Sequence, residues 1–566
     1  MHKQITHSKQ REENKFSKLQ KNVVNATLCT AALRRQKIDL RQTGISGLDS
    51  FLLESALLHS TCRSLFYPIY KVIQPQMVVI VDNQRTISNS NNELIRAVNL
   101  GGWLVTEGWM KPSLFESILN KEFLDGVKLQ FNSVTTEKFL AAELGGGTII
   151  VANRTSPSDW ETFRLWRINE TSFHVRVFNK QFLGIDSNGI NLVATSTDSE
   201  NSGIFDIIRN SDTPNRVRIK APNGLFLQAK TEDLVTVDSN GDGQWGDDDP
   251  SVFIMTFAGA RLEGEYQVTN GYGPLKAPQI MKDHWDTFIE EKDFSFIADS
   301  KLNAVRIPVG WWTAKDPTPP RPYVGGSLEV LDRAFVWARK YNLKVILDLH
   351  AAPGSQNGFE HSSSRDGFIE WGQTENIEES VRIIEFFTAR YATNPCLYAV
   401  ELLNEPNASG VSLSMLTTFY NDAYKAVRRH APDVFVILSN RLSGDPKELF
   451  PLASGMTAVV IDVHYYNLFS GIFNGMSVDQ NIDFIQTNRS NELQDITTSD
   501  GPLTFVGEWV AEWQVNEASK EDYQRFSNAQ MQVWGRASFG WAYWSLKHAS
   551  NHWSMEWMIT NGYINL

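Results

Sequence analysis

Residues 397–406 read LYAVELLNEP, an apolar run that ends in a polar Asn-Glu-Pro step. Six further segments repeat this pattern of a short apolar run: 304–311 (AVRIPVGW), 344–350 (KVILDLH), 434–440 (VFVILSN), 458–466 (AVVIDVHYY), 503–509 (LTFVGEW) and 539–547 (FGWAYWSLK). Strands that are apolar almost throughout are typical of a parallel sheet covered on both faces. The pattern therefore predicts seven buried parallel strands.

Helix-like segments separate these strands, at residues 282–300, 327–341, 374–391, 412–430, 478–493 and 520–536. A further strand is predicted at residues 97–105 (AVNLGGWLV), which brings the number of strands to eight. Eight parallel strands alternating with helices close into a (β/α)8 TIM barrel. An open doubly wound sheet is the alternative, but no glycine-rich phosphate-binding motif follows any of the strands.

A threefold repeat interrupts the barrel pattern between residues 125 and 259. FLAAE at 139 recurs as FLGID at 182 and FLQAK at 226, and two further apolar threads recur in the same order beside it. Three copies of about four short strands predict a β-trefoil. We expect this all-β domain to be inserted after the first barrel strand, with its aromatic residues packed around a pseudo-threefold axis.

The first residues differ from the rest in charge. The chain of 566 residues has a formal net charge of −12, yet residues 1–50 contain more Lys and Arg than Asp and Glu. This start has no apolar core of a secretion signal, and the nearby apolar stretch is too short to cross a membrane. We expect a poorly ordered basic segment over 1–93, barrel over 94–124, trefoil over 125–259 and the remaining barrel over 260–566.

Composition excludes several functions. An acidic chain lacks the basic face that nucleic-acid binding needs, and three widely spaced cysteines allow neither a disulfide framework nor a zinc knuckle. The chain has 17 Trp, 32 Phe and 15 Tyr, and flat aromatic surfaces suit the binding of carbohydrate. We expect no nucleic-acid partner and no membrane insertion; the sequence leaves the oligomeric state open.

Polar residues collect where the predicted barrel strands end, the place where such barrels carry their active sites. They are Glu107, Arg306, His350, Asn404, Glu405, His464, Tyr466, Glu508 and Trp544. Glu405 and Glu508 follow the fourth and seventh strands, so their side chains can face each other across the barrel. Two facing carboxyl groups among aromatic residues favour glycoside hydrolysis. A metal site or a Ser-His-Asp hydrolase is less favoured, because neither HExxH nor GxSxG occurs.

From about residue 95 onward the chain resembles glycoside hydrolase family 5, in its exo-β-1,3-glucanase branch. The motifs that carry this resemblance are NLGGWLVTEGWMKPSLFE, VRIPVGWW, DLHAAPGSQNGF, LLNEP, DVHYYN, VGEW and GWAYWSLK. The inserted trefoil resembles the fascin-like domain of plant members of this group. Members usually begin with a secretion signal and work in the cell wall or outside the cell, whereas this chain shows no such signal as written.

The resemblance implies a role for each candidate residue. Glu405 is expected to be the general acid/base, in a site that raises its pKa, and Glu508 the nucleophile, kept ionised by Arg306 and Tyr466. Asn404 would bind the sugar 2-hydroxyl, and Glu107, His350 and His464 would bind other hydroxyls. Trp544 would form the floor, and Phe359 and Phe469 would be a pair of entrance aromatics. His361 stands where an Asn is common in fungal relatives.

Two smaller patterns carry weaker predictions. Residues 238–249 fit a calcium-binding EF-hand loop, but strand-like flanks favour an acidic turn. Glycosylation sequons begin at Asn25, Asn153, Asn169, Asn407 and Asn488, and they allow glycosylation in a secreted protein.

The leading hypothesis is a retaining hydrolase that removes glucose from β-1,3-glucan without a cofactor. Two alternatives stay open: a broad β-glucosidase or transglucosidase, which would use the same residues, and a non-catalytic protein that binds a glycan or the cytoskeleton.

Overall fold

The computed structural model describes residues 93–241 and 243–566. The basic segment predicted over residues 1–93 therefore lies outside the described residues, apart from Glu93. In the described part of the chain, every helix is too short or too polar to cross a bilayer.

The first strand, β1, is shorter than predicted. It spans Ile95–Asn99, whereas the sequence pattern extended it over residues 97–105. Gly102 takes a φ of +70°, which bends the chain away from the extended conformation. Trp103 and Leu104 are fully buried although they lie outside a strand. Their apolar side chains therefore reflect burial, and the sequence pattern mistook them for part of the strand.

Twelve short antiparallel strands follow, in three groups of four. They are β2 Lys128–Ser133, β3 Phe139–Ala142, β4 Ile150–Arg154, β5 Phe163–Arg167, β6 Ser172–Arg176, β7 Phe182–Ile185, β8 Leu192–Ser196, β9 Phe205–Arg209, β10 Arg216–Lys220, β11 Phe226–Gln228, β12 Thr236–Ser239 and β13 Phe253–Phe257. The repeated FLAAE, FLGID and FLQAK words form most of β3, β7 and β11. Each copy thus begins the same strand of its group.

The pairing of these strands makes a ring with three hairpins, the arrangement that the prediction of a β-trefoil requires. Strands β2, β5, β6, β9, β10 and β13 each pair with the next in this order, and β13 pairs back with β2, which closes a ring. The remaining strands form the hairpins β3–β4, β7–β8 and β11–β12. Phe163, Phe205 and Phe253, one from each repeat, are fully buried in the core.

Seven parallel strands close a barrel with β1. They are β14 Ala304–Gly310, β15 Lys344–Ala351, β16 Leu397–Glu401, β17 Phe435–Ser439, β18 Val459–Asn467, β19 Leu503–Trp513 and β20 Gly540–Tyr543. The order in the barrel is the order in the chain, and β20 pairs with β1. The (β/α)8 prediction is therefore confirmed, with the trefoil between β1 and β14.

The helices surround this barrel. They are α1 Glu265–Phe288, α2 Glu291–Asp299, α3 Ser327–Lys340, α4 Thr374–Tyr391, α5 Leu413–His430, α6 Phe450–Ala453, α7 Val478–Phe484, α8 Ser490–Ile496, α9 Lys520–Trp534 and α10 Met555–Thr560. Ser412 caps α5 by accepting a hydrogen bond from the backbone of Met415, as expected for a serine that precedes a helix. Helix α1 begins well before the predicted residue 282, and it contains Pro274 and Pro278.

The barrel interior is filled at one end by small and branched side chains. Ile95, Ala97, Ala304, Ile346 and Ala399 belong to this fully buried layer. Because this layer closes the barrel beneath, a site can form only above it, where the strands end at their carboxyl termini.

Candidate active site

The strands bring the predicted polar residues to the carboxyl end of the barrel. Arg306 lies on β14, His350 on β15, His464 and Tyr466 on β18 and Glu508 on β19. The remaining residues of the barrel set lie just beyond strands or in the loop after β1: Asn404, Glu405, Trp544 and Glu107. The candidate residues named from the sequence therefore lie at one end of the barrel.

Arg306 is the buried centre of this site, with a fully inaccessible side chain. Its guanidinium donates to both carboxylate oxygens of Glu401, at 2.7 and 3.0 Å, and to Oε1 of Glu508 at 3.1 Å. It also donates to the side-chain oxygens of Asn404 at 2.8 Å and Asn99 at 2.9 Å. Burial would lower the pKa of Arg306, but the surrounding carboxylates raise it, so the cation is fixed.

Glu508 is held from two sides. Oε1 accepts from Arg306, and Oε2 accepts from the Tyr466 hydroxyl at 2.7 Å. Nδ1 of His464 lies 3.4 Å from the same Oε2. Arg306 and Tyr466 are the two donors expected from the sequence, and charge-assisted bonds of this kind stabilise an ionised carboxylate.

Glu405 stands opposite, between two imidazoles. Oε1 lies 2.7 Å from Nδ1 of His464, and Oε2 lies 3.2 Å from Nε2 of His361. Burial alone would raise the pKa of Glu405, but the hydrogen bonds and charges of His361 and His464 hold it well below its usual range. Glu405 also has a φ of +43°, a conformation that residues other than glycine adopt rarely and that often marks a functional site.

This result corrects the expectation that the site raises the pKa of Glu405. In the ligand-free site the protons reside on the imidazoles. Burial would lower the pKa of His361, but Glu405, with Glu107 and Glu508 farther away, raises it to about 9. The pKa of His464 is likewise raised, because Glu508 and Asp462 outweigh its burial.

The two candidate carboxylates are close together. One oxygen of Glu405, one oxygen of Glu508 and one nitrogen of His464 all lie within 4.8 Å of one another. Carboxyl groups of retaining glycosidases stand about 5–5.5 Å apart, and those of inverting enzymes stand farther apart to leave room for a water. The separation fits direct attack by one carboxylate.

Glu107 is a buried carboxyl group with one unused oxygen. Oε2 accepts from Nε1 of Trp109 at 2.9 Å, while Oε1 has no partner among the described residues. Burial raises the pKa of Glu107 to about 8, against the opposing charge of His361. At neutral pH this group can therefore donate as well as accept a hydrogen bond, which suits a sugar hydroxyl.

His350 forms a polar side of the floor of the site, and Trp544 forms an apolar side. Their rings are stacked, with centroids 5.4 Å apart and planes inclined by 10°. Nδ1 of His350 pairs with Asp348 at 2.7 Å, so Nε2 faces Asn404 at 3.5 Å. A Cβ at Gly101 would lie 2.7 Å from the Trp544 ring, so glycine is needed for this close approach.

The two predicted entrance aromatics are exposed. Phe359 is 47% exposed and Phe469 is 78% exposed, although large apolar side chains are usually buried. Phe469 packs on Tyr466 and on Trp553, with ring centroids 5.6 and 6.3 Å apart. Trp553 was not among the predicted residues, because it lies in a loop beyond the last strand motif.

Three supporting carboxylates were also absent from the predicted set. Asp348 and Asp462 orient His350 and His464, while Glu401 pairs with Arg306. Alternate residues of a strand point to the same face, so Asp348 and Asp462 could have been identified as the residues two places before each histidine.

The same cluster also bears on metal binding. Among the described residues, two groups bring three possible metal donors together: Glu401 with Asp462 and His464, and Glu405 with His464 and Glu508. Protein donors already occupy many of these oxygens, since Glu401 and Glu508 accept from Arg306. An uncharged carbohydrate suits such a site at least as well as a cation.

The calcium-loop pattern at residues 238–249 has other partners in the structure. Asp249 accepts from Arg218 at 2.5 Å and from Ser251 at 2.7 Å, and Asp238 accepts from Thr236 and Gln228. Asp242 of this loop lies outside the described residues. Of the sequons, Asn169 and Asn488 are exposed and Asn153 and Asn407 are half-buried, while Asn25 lies outside the described residues.

Comparison with known families divides the chain where the fold does. The family described as Cellulase (glycosyl hydrolase family 5) matches residues 271–550. A family described as Domain of unknown function (DUF7910) matches residues 120–258, which span the trefoil.

Comparison with individual proteins places the barrel among glucosidases. The chain is 38% identical over 269 residues to Probable glucan 1,3-beta-glucosidase A of Emericella nidulans, a match covering 46% of this chain and 62% of that protein. It is 34% identical over 351 residues to the protein of the same name from Aspergillus terreus, covering 55% of this chain and 83% of that one. The solved rutinosidase from Aspergillus niger is 20% identical, with 53% of this chain and 88% of that chain covered and a TM-score of 0.47. The family match over residues 271–550 and the two curated relatives show that the chain belongs to glycosyl hydrolase family 5 and is a glycoside hydrolase.

Proposed function

We propose that this enzyme removes glucose from the non-reducing end of β-1,3-glucan or its oligosaccharides, with retention of anomeric configuration. The observation that carries the proposal is the short separation of Glu405 and Glu508, whose nearest oxygens lie within 4.8 Å. The names of the curated relatives, glucan 1,3-beta-glucosidases, support β-1,3-glucan as the substrate.

In the proposed reaction Glu508 is the nucleophile. Its carboxylate attacks the anomeric carbon of the terminal glucose and displaces the leaving oxygen, which forms a covalent glycosyl-enzyme. Arg306 and Tyr466 hold and aim the carboxylate by donating a hydrogen bond to one oxygen each. Asn404 is held by Arg306 through its side-chain oxygen; its amide nitrogen contacts Nε2 of His350 and keeps a second hydrogen for the sugar 2-hydroxyl.

Glu405 is the proposed acid/base. The proton that the leaving oxygen needs is held in the ligand-free enzyme by the imidazoles of His361 and His464, both hydrogen-bonded to Glu405. We propose that it passes to the leaving group through Glu405. In the second step, Glu405 accepts a proton from water, which attacks the anomeric carbon and releases Glu508.

The other residues are proposed to hold the sugar. Glu107 offers its unpaired oxygen to a hydroxyl, and His350 offers Nε2. Trp544 lies beneath the ring, and Phe359 and Phe469 contact the next glucose at the mouth. This arrangement requires no metal or organic cofactor for the chemistry described.

The resemblance to plant enzymes with a fascin-like domain also remains a proposal, as does a location in the cell wall or outside the cell. The three repeats of the inserted domain support the first, and the exposed sequons at Asn169 and Asn488 are compatible with the second. Glycan analysis of the protein purified from its native source would test the location.

The test uses Glu508→Gln, which keeps the size of the side chain and removes the nucleophile. We expect the wild-type enzyme to release β-glucose first from laminaritriose, detected by proton NMR, and the variant to lose at least about a thousandfold in kcat. Wild-type release of α-glucose first, or activity that survives in Glu508→Gln, would contradict the mechanism. Longer products in the same spectra would show transglycosylation, and inactivity on every β-glucoside would favour the glycan-binding alternative.

A further inference from the structure

One loop joins the catalytic centre to the inserted domain. We call residues 352–373, between β15 and α4, the active-site loop; it carries Phe359 and His361. Its inner side is tied to the centre, because the Gln356 amide donates to the carbonyl oxygens of His350 at 2.7 Å and Asn404 at 2.8 Å. The Asn357 amide donates to the carbonyl oxygen of Glu405 at 3.1 Å.

The outer side of the same loop is bound by the trefoil. Arg176 on β6 donates to Asp366 at 2.8 Å and to Glu370 at 2.9 Å. The indole nitrogen of Trp166, on β5, donates to the same oxygen of Asp366 at 2.7 Å. Arg176 and Asp366 have side chains only 7% and 3% exposed, so this ion pair is largely shielded from water.

Stacking and close backbone contact extend this junction. The guanidinium of Arg365 lies 3.6 Å from the ring centre of Trp166, and its Nε donates to Asp125 at 2.9 Å. Arg164, on β5, lies over Phe368 with its guanidinium carbon 4.1 Å from the ring centre. A Cβ at Gly126 would be 2.6 Å from the carbonyl oxygen of Arg365, so the two backbones touch directly.

We propose that the inserted domain positions the active-site loop, with Arg176 and Trp166 as positioning residues that act on Glu405 through Asp366 and His361. Asp366 lies in the same loop as His361, whose Nε2 is 3.2 Å from Glu405. A loop fixed at Asp366 by the trefoil and at Asn357 by the barrel has little freedom to move His361 away from Glu405. The trefoil thereby takes part in leaving-group protonation without touching the substrate.

This inference rests on the proposed function, because it assigns the loop to the acid step. The alternative is that the junction only stabilises the protein. The two roles predict different losses of kcat/KM for two kinds of substrate. Protonation by the enzyme matters for a sugar leaving group, whereas dinitrophenolate leaves without it. A merely structural role would reduce both reactions alike.

The test compares Arg176→Gln with Arg216→Gln. Arg216 pairs with Asp247 within the inserted domain itself, at 2.8 Å, and serves as the matched control. We measure kcat/KM for laminaribiose and for 2,4-dinitrophenyl β-glucoside, together with the melting temperature. Arg176→Gln is expected to lower kcat/KM for laminaribiose by about tenfold or more, as misplacement of a reacting group does, with a clearly smaller loss on the dinitrophenyl glucoside. Arg216→Gln should leave the ratio of the two substrates at its wild-type value.

Trp166→Phe is the second variant, because it keeps an aromatic ring and removes the indole N–H that donates to Asp366. It should shift the substrate ratio in the same direction as Arg176→Gln, and it serves alone if Arg176→Gln does not fold. A wild-type ratio in the folded variants, or equal losses on both substrates, would overturn the positioning role. Wild-type inactivity on both substrates would instead overturn the proposed function.

Discussion

The ion pair between His361 and Glu405 gives the sharpest test of the site. We predict that Glu405→Gln lowers the pKa of His361 from about 9 toward its ordinary value near 6.5. The substitution keeps the shape of the side chain and removes its charge. Burial by itself lowers the pKa of this imidazole, and the groups that raise it besides Glu405 are the more distant carboxyl groups of Glu107 and Glu508.

The size of the effect follows from the distance. Two unit charges 3.2 Å apart attract by roughly 5 kcal/mol at an effective dielectric constant of about 20. Burial of the imidazolium offsets part of this attraction. A fall of the pKa of His361 from about 9 to about 6.5 corresponds to a net interaction free energy of roughly 3 kcal/mol, because one pKa unit corresponds to about 1.4 kcal/mol. Glu107 and Glu508 also favour the cation, so a residual rise is compatible with the geometry.

The assay is an NMR titration of the imidazole nitrogens, with the His361 signal assigned by its loss in His361→Asn. Glu385→Gln is the control, because Glu385 pairs with His430 at 3.0 Å elsewhere on the surface. That variant should leave the pKa of His361 unchanged. The reasoning is refuted if His361 titrates near pH 6.5 in the wild type, or if it keeps a pKa near 9 after Glu405→Gln.

Three further predictions test other parts of the barrel. Tyr466→Phe removes the 2.7 Å hydrogen bond to Glu508, and we expect kcat/KM on laminaribiose to fall by about tenfold or more; an unchanged value would show that Arg306 alone suffices. Phe469→Ala should raise KM for laminaritriose severalfold and leave the melting temperature unchanged, because this side chain is exposed; a wild-type KM would remove it from the substrate site. Burial raises the pKa of Glu265 from 4.5 to about 7, so the folded protein keeps a proton that the unfolded chain loses, and stability falls as pH rises through this interval. Glu265→Gln should therefore stabilise the protein at pH 8 by up to about 3 kcal/mol relative to its effect at pH 4, and equal shifts in melting temperature at both pH values would contradict this.

The sequence predicted those parts of the fold that depend on local patterns. Buried parallel strands such as 344–350 are apolar on both faces, so their number could be counted, and the repeated FLAAE-type words marked equivalent strands of the trefoil. Glu405 and Glu508 could be paired because a closed barrel brings the carboxyl ends of its strands together. Residues 265–281 of α1 were missed, since Pro274 and Pro278 interrupt the usual helical pattern.

The electrostatic state of the site could not be predicted in the same way. His361 contacts Glu405 from a loop, and hydrophobic periodicity does not predict the path of a loop. The resemblance implied only that His361 stands where an Asn is common in fungal relatives. In the structure His361 and His464 lie beside the proposed acid, and their hydrogen bonds and charges lower the pKa of Glu405 against the expected direction.

The position of the trefoil inside the barrel has a consequence for folding. The backbone of Arg96, on β1, is tied to Asn303 across 207 residues, and the side chain of Asn99 to Tyr543 across 444 residues. The contacts within each trefoil hairpin, by contrast, join residues that are close in sequence. Contacts distant in sequence form slowly, whereas compact local units fold early and often during synthesis. The trefoil can therefore fold on the ribosome before β14, the partner of β1, has been synthesised. The barrel can close only after β20, near the carboxyl terminus, has been made.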